Sequence, residues 1–230
     1  MNMERYLRQT ALLEIGEEGQ NKLREASVLI VGAGGLGSPA ATYLVSSGVG
    51  RIGIVDNDTV SESNLARQVL YTTQQKGISK VECAKERLSA QNPECIIDIY
   101  NKRLDTECAE SIIKEYDIVI DGTDNADTRY LIDEITYRYQ KAYIYGAICG
   151  FEGQVSVFNT MGAARYSDLY PYGTFASLPA PPPVMATTPA VIGSIEANEA
   201  LKLIIGYGKP LVNRLLTIDL RDYTINIFDI

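Results

Sequence analysis

Short apolar runs alternate with longer segments of helical period through most of this chain. Val28-Leu29-Ile30-Val31 contains no polar residue, as a strand buried on both faces requires. Arg51–Val55, Ile96–Tyr100, Tyr116–Asp121 and Lys141–Ile148 repeat the pattern. The segments near 38–47, 80–90, 108–114 and 126–139 carry apolar residues three and four apart, the helical spacing. Strands alternating with helices predict an α/β fold: a Rossmann-like, doubly wound, mostly parallel sheet covered by helices. The period then changes. From Gln154 on, in the run to Phe158, polar and apolar residues alternate up to Val157, which reads as a half-exposed antiparallel strand. Leu215–Asp219 and Thr224–Phe228 read as a closing hairpin, so the C-terminal part is antiparallel. Leu7, Ala11, Leu12, Ile15 and Leu23 predict a helical arm over 1–25, broken near Gly16 and Gly19. Residues 159–190 have no period and contain Pro171, Pro179, Pro181, Pro182, Pro183 and Pro189. That length predicts a functional or mobile loop. A helix resumes over Val191–Ile204, stopped by Gly206 and Gly208. No internal repeat is visible, and residues 1–230 read as a single domain.

The first apolar run ends in Gly32, Gly34, Gly35 and Gly37. Gly32-x-Gly34-x-x-Gly37 fits a dinucleotide fingerprint. The first glycine permits a tight turn, the second admits a phosphate to the backbone, and the third packs helix on strand. The helix amides and dipole then face an anion. A ligand-free glycine turn is the plainer alternative. The second strand ends in Asp56-Asn57-Asp58. Asp56 lies about 20 residues past Gly37, the place of a ribose-binding acid, and Asp58 joins it as a nucleotide-binding candidate.

Asn64, Arg67 and Gln68 follow directly. Arg67 has the geometry to bind phosphate bidentately; the segment also reads as a helix N-terminus capped by Ser63 or Asn64. Ser79 is placed to cap the next helix, which puts Lys80 in its first turn. A cation there opposes the helix dipole unless it serves an anion. Asp124 sits at another strand end, where ligands of open α/β sheets collect. A carboxylate beside phosphates calls for a bridging cation, usually Mg²⁺; capping the following helix is the alternative. Arg5 and Arg8 share a face of the N-terminal helix.

Composition narrows the function classes. The net charge of −8 argues against non-specific nucleic-acid and anionic-membrane binding. No apolar stretch predicts a membrane span, no apolar N-terminal segment reads as a signal peptide, and Cys83, Cys95, Cys108 and Cys149 have no zinc spacing. These features fit a cytoplasmic protein. Histidine is absent, which excludes histidine-based catalysis. Cys149 reads as a buried structural thiol.

Taken in order, the motifs resemble those of the ThiF, MoeB and HesA family of ubiquitin-activating-like (E1-like) adenylyltransferases. They are Arg5-Tyr-Leu-Arg8-Gln9, the glycine turn, Asp56-Asn-Asp58, Ser63-Asn-Leu-Ala-Arg-Gln68, the Lys80 segment, Asp121-Gly-Thr-Asp-Asn125, Glu152-Gly-Gln154, Ile192-Gly-Ser194 and Glu199-Ala-Leu-Lys202. The resemblance implies an ATP- and Mg²⁺-dependent enzyme that adenylates the C-terminal Gly-Gly tail of a small ubiquitin-fold sulfur carrier of the ThiS or MoaD kind, releasing pyrophosphate, with thiamine biosynthesis favoured. It implies that Asp56 binds ribose and that Asn64, Arg67 and Lys80 contact phosphates, with Gln68 alongside. Asp124 would bind Mg²⁺, and Arg8 would reach the neighbouring cleft of a homodimer. The chain departs from the family pattern twice. Arg165-Tyr-Ser-Asp168 replaces a first C-x-x-C pair, so no zinc is expected. The crossover loop Leu178-Pro-Ala-Pro-Pro-Pro-Val-Met-Ala186 lacks a cysteine, which puts covalent transfer there in doubt. Two other readings stand beside this one. An NAD-dependent oxidoreductase explains the glycine turn alone, and a non-catalytic E1-like scaffold explains the missing cysteines.

Overall fold

A parallel core and an antiparallel extension share one sheet. The computed structural model describes residues 3–174 and 183–230. Its strands are β1 (Ser27–Val31), β2 (Arg51–Val55), β3 (Ile96–Tyr100), β4 (Ile118–Asp121), β5 (Ala142–Cys149), β6 (Glu152–Phe158), β7 (Arg214–Asp219) and β8 (Thr224–Asp229). They lie in the order β3-β2-β1-β4-β5-β6-β7-β8. The first five are parallel, and β6, β7 and β8 join antiparallel. The helices are α1 (Leu7–Thr10), α2 (Gly16–Glu25), α3 (Gly37–Ser47), α4 (Lys80–Gln91), α5 (Ala109–Ile113), α6 (Ala126–Arg138), α7 (Tyr166–Leu169) and α8 (Thr187–Ile205).

The inner strands β1, β2 and β4 bury both faces, whereas the edge strand β3 is only partly covered. Ile30, Ile54, Ile120 and Ile144 face α3, α4 and α8. Leu29, Val31, Val119 and Tyr143 face α5 and α6. The chain winds outward from β1 to β3, then returns to place β4 on the other side of β1. The C-terminal ends of β1 and β4 therefore part and open a crevice.

Several boundaries differ from expectation. The N-terminal arm is not one helix: a 3₁₀ turn (Met3–Tyr6) and α1 precede a break over 11–15, before α2 begins at Gly16. Gly19 lies inside α2, where a side chain would press on Ile205 of α8; it is a packing residue, not a breaker. The irregular loop ends earlier than 190. α8 starts at Thr187 with Pro189 in its first turn, where the missing N–H has no intrahelical acceptor to lose. The same stretch holds α7, fastened by the buried Asp133 of α6. Asp133 accepts hydrogen bonds from Arg165 Nη2 at 3.0 Å, Asn159 Nδ2 at 3.0 Å and the Tyr166 amide at 3.0 Å.

Glu196 of α8 is fully buried, and neither carboxyl oxygen has a partner among the described residues. Burial, reinforced by Asp121, pushes its pKa well above the ordinary 4.5, against the pull of Arg129. A raised folded-state pKa gives stability that is complete below 4.5 and lost as pH climbs toward the folded value. Glu196→Gln keeps the shape and the neutral state. It should nearly match wild type at pH 4.5 and exceed it at pH 8, by about 1.4 kcal/mol for each pH unit over which the unfolded carboxyl is ionised and the folded one is not. Urea unfolding at the two pH values checks this; equal differences at both would refute it.

Candidate active site

The C-terminal ends of β1 to β5 enclose a cleft of about 880 Å³. Its floor is the turn after β1. Gly32 has φ +96°, and a side chain there would collide with the Gly122 carbonyl; one at Gly37 would overlap the Gly32 carbonyl. The backbone itself thus demands the first and third glycines of the fingerprint. Gly34 meets only the tip of Gln68, at 3.6 Å, and leaves the cleft side open. Gly35 backs onto Pro189 of α8. No side chain caps α3, so its first amides remain suited to an anion.

The β2 end is locked to this floor. Asp56 accepts from the Ala33 amide through Oδ2 and from the Asp58 amide through Oδ1, both at 2.8 Å. The buried Tyr71 hydroxyl donates to the Ala33 carbonyl at 2.7 Å. Burial, then the nearby Asp56, push the Tyr71 pKa far above that of a free phenol, so it stays a donor. Each Asp56 oxygen retains a lone pair for a ribose hydroxyl.

Cations line the same side. Lys80 opens α4 almost fully buried, and its ammonium pairs with Asp58 at 2.7 Å. Its counterion is thus an acid of the neighbouring strand turn, a pairing that tertiary contact creates. Ser79 occupies the N-cap position, but its hydroxyl makes no capping bond; the expected cap is not there. Nor does a regular helix begin at 63. Glu62–Asn64 form a 3₁₀ turn, with Asn64 Oδ1 accepting from the Ser61 amide at 3.3 Å. Arg67 donates through Nη1 to the Ser63 carbonyl at 2.8 Å, which fixes the guanidinium at the cleft wall. Gln68 is buried, with Oε1 unpartnered.

Across the floor, Asn125 caps α6 by accepting from the Thr128 amide at 3.0 Å. Asp124 beside it is exposed, lines the cleft and has no partner among the described residues. Capping therefore falls to Asn125 and leaves the Asp124 carboxylate uncommitted to the helix end. Of the candidates, Gly32, Gly34, Gly35, Asp56, Asp58, Asn64, Arg67, Gln68, Lys80 and Asp124 line the cleft; Gly37 supports it from beneath. Arg8 is exposed on α1 and is not among the residues lining its own chain's cleft.

Other lining residues carry no local sequence signal. Lys102 and Arg103 flank the β2 turn from the end of β3. Arg129 of α6 reaches the floor and is tied to the buried Asp121, Nε to Oδ2 at 3.1 Å. Burial is the largest influence and opposes its charge, but Asp121 together with Tyr145, Tyr143 and Tyr166 holds the pKa above the ordinary value. Cys149 is exposed and lines the cleft at the end of β5. The expectation of a buried thiol is wrong, because Cys149 lies where β5 runs out from beneath its covering helices.

The ThiF family model matches residues 6–230. A sulfur carrier protein adenylyltransferase of Thermus thermophilus is 44% identical over 227 residues, covering 94% of this chain and 83% of that protein. A probable molybdopterin-synthase adenylyltransferase of Porphyra purpurea is 45% identical over 220 residues; the match takes in 92% of this chain but only 56% of that longer protein. Among solved structures, PaaA superposes with a TM-score of 0.85 at 25% identity, covering 99% of this chain and 73% of PaaA. E. coli MccB with ATP gives 0.83 at 23% identity, covering 93% and 66%, and supports the fold alone. With a family model spanning nearly its whole length, the chain belongs to the ThiF family.

Proposed function

We propose that this chain is an ATP-dependent adenylyltransferase. It activates the C-terminal glycine carboxylate of a small ubiquitin-fold sulfur carrier as an acyl-adenylate and releases pyrophosphate. One observation carries the reading: Asp56, Asn64, Arg67, Lys80 and an Asp124 with no partner among the described residues converge on one cleft around the glycine turn. A dinucleotide oxidoreductase has no use for that cation set.

The chemistry needs charge compensation, not a base. A carboxylate oxygen bonds to the α-phosphorus, the bond to the bridging oxygen breaks, and pyrophosphate leaves with the electron pair. Arg67 and Lys80 offset the charge that spreads over the phosphates. Asp56 orients the ribose, and the amides after Gly34 take phosphate oxygens. The donor set also fits Mg²⁺. That ion is usually held by one or two carboxylates plus substrate phosphates, and Asp124 is a free carboxylate at the phosphate end. Mg²⁺ would neutralise phosphate charge there.

Carrier-dependent ATP–pyrophosphate exchange tests the proposal. The panel should hold both a thiamine-type and a molybdopterin-type carrier, since the motif resemblance favours the first and the named relatives include the second. Asp124→Ala is expected to lower exchange by about 10²-fold. Silence of the wild type with every Gly-Gly carrier would sink the reading.

Arg8 supports a homodimer in which each arm completes the other cleft. Its exposed place outside its own cleft is the supporting observation. Mixing Arg8→Ala chains with Lys80→Ala chains should restore exchange, because one mixed cleft is then intact. No restoration, in a mixture shown to exchange subunits, counts against it.

A further inference from the structure

The two halves of the cleft differ in character. The β1–β2 half holds Arg67 and Lys80. The other half, beyond β4, is walled by Tyr145, Ile148, Gly153, Gln154, Tyr170 and Val184. Among the described residues lining that half, Arg129 is the only cation. Glu152 also stands there, with its charge met by Arg221 at 2.9 Å.

Arg129 is fixed but not saturated. Its Nε donates to Asp121 Oδ2 at 3.1 Å, and its Nη2 to the carbonyls of Thr123 at 3.1 Å and Gly146 at 3.4 Å. Its guanidinium stands 5.3 Å from the Tyr145 ring centre. Asp121 cannot close a two-pronged pair with it. Oδ1 of Asp121 is taken by the amide and hydroxyl of Thr123, and Oδ2 is shared with the Tyr143 hydroxyl. Among the described residues Nη1 has no hydrogen-bond acceptor, and it is not among the fully buried unpartnered atoms. An open, rigidly held guanidinium N–H beside apolar walls suits one carboxylate at the end of a slender chain.

Glu196 is the second observation. It packs beneath Gly146, the same residue whose carbonyl Arg129 holds; a side chain at Gly146 would overlap the Glu196 carboxyl. Both Glu196 oxygens are unpartnered among the described residues, and burial raises the pKa of the group well above the ordinary value, disfavouring its charged form. It makes no hydrogen bond or ion pair with Arg129 among the described residues.

We propose that Arg129 Nη1 binds the terminal carboxylate of the carrier tail and so positions the nucleophile of the adenylation step. This rests on the adenylation reading above. Arg129 transfers no proton. It orients the carboxylate whose oxygen bonds to the α-phosphorus as pyrophosphate departs.

The probe is a MoaD-type carrier ending in Gly-Gly, prepared as the free acid and as its C-terminal amide. Wild type should bind the acid about tenfold or more tightly than the amide, the value of a charge-assisted hydrogen bond. Arg129→Lys keeps a cation beside Asp121 but loses the fork, and the double variant Asp121→Asn, Arg129→Gln removes both charges in case the single variant misfolds. Both should lose the preference for the acid while retaining wild-type affinity for ATP. Equal binding of acid and amide by wild type overturns the assignment. So does an acid preference that survives in both variants, or a loss of ATP affinity in step with it. A wild type that prefers the acid yet catalyses no exchange would defeat the adenylation reading and leave the Arg129 assignment standing.

Discussion

Lys80→Ala should lower carrier-dependent ATP–pyrophosphate exchange by about 10²–10³-fold, the usual effect of removing one donor that meets transition-state charge. The folded structure offers two accounts of Lys80, and the variant separates them. One makes it a structural partner of Asp58, 2.7 Å away. The other makes Asp58 a holder that keeps the ammonium in place until phosphate arrives. Burial is unequal: the Lys80 side chain is 5% exposed and that of Asp58 63%. A pair with one partner in water contributes little stability, which leaves the cost of burying the lysine unexplained by the pair alone. Asp58→Asn should therefore reduce exchange far less than Lys80→Ala. Steady-state exchange at saturating carrier, with thermal melts to confirm folding, distinguishes them. Equal losses in the two variants would assign Lys80 to structure.

Asp133→Ala is expected to destabilise the fold by about 3–5 kcal/mol, the cost of removing one partner of a buried ion pair. That is a large share of the roughly 5–15 kcal/mol typical of a folded chain. Asp133 is wholly buried and pairs with Arg165, whose side chain is 29% exposed. It also takes Asn159 and the Tyr166 amide. Removing it leaves the Tyr166 amide and the part-buried Arg165 guanidinium without their carboxylate, while Asn159 keeps the Asp133 carbonyl and the Thr136 hydroxyl. Tyr166 beyond it packs edge-on against Tyr130 and Phe158, so the loss should spread to the aromatic cluster under the cleft. Asp133→Asn keeps the shape and part of the hydrogen bonding and should cost less. Urea unfolding with both variants is the measurement; a loss below about 1 kcal/mol for Asp133→Ala would reduce the hub to a surface contact. The turn at Arg165–Asp168, where many chains resembling this one would carry a C-x-x-C pair, is fastened here by a carboxylate.

The residues that sequence reading located share one property: a local rule places them. Val28–Val31 reads as a strand because a two-sided buried strand must be apolar throughout. Gly32 and Gly37 read as a turn because only glycine fits where backbone meets backbone. Asp56, Lys80 and Asp124 follow because strand ends and helix starts at fixed spacings meet at the crevice of a doubly wound sheet. Proline misled the reading at 187–190, since the sequence does not say whether Pro189 stands in a helix's first turn or in a loop.

The sequence by itself determined the alternation of strands and helices, the glycine turn at the end of the first strand, and the family to which the chain belongs. Only the tertiary structure decided that Asp58 faces Lys80, that Asp133 fastens the 159–170 segment, that Cys149 is exposed in the cleft, and that Arg129 is held by Asp121 with its Nη1 unpaired among the described residues. The physical reason is reach. Periodicity, turn chemistry and helix starts act within a few residues, whereas a buried charge is defined by partners that the sheet order brings together from distant parts of the chain.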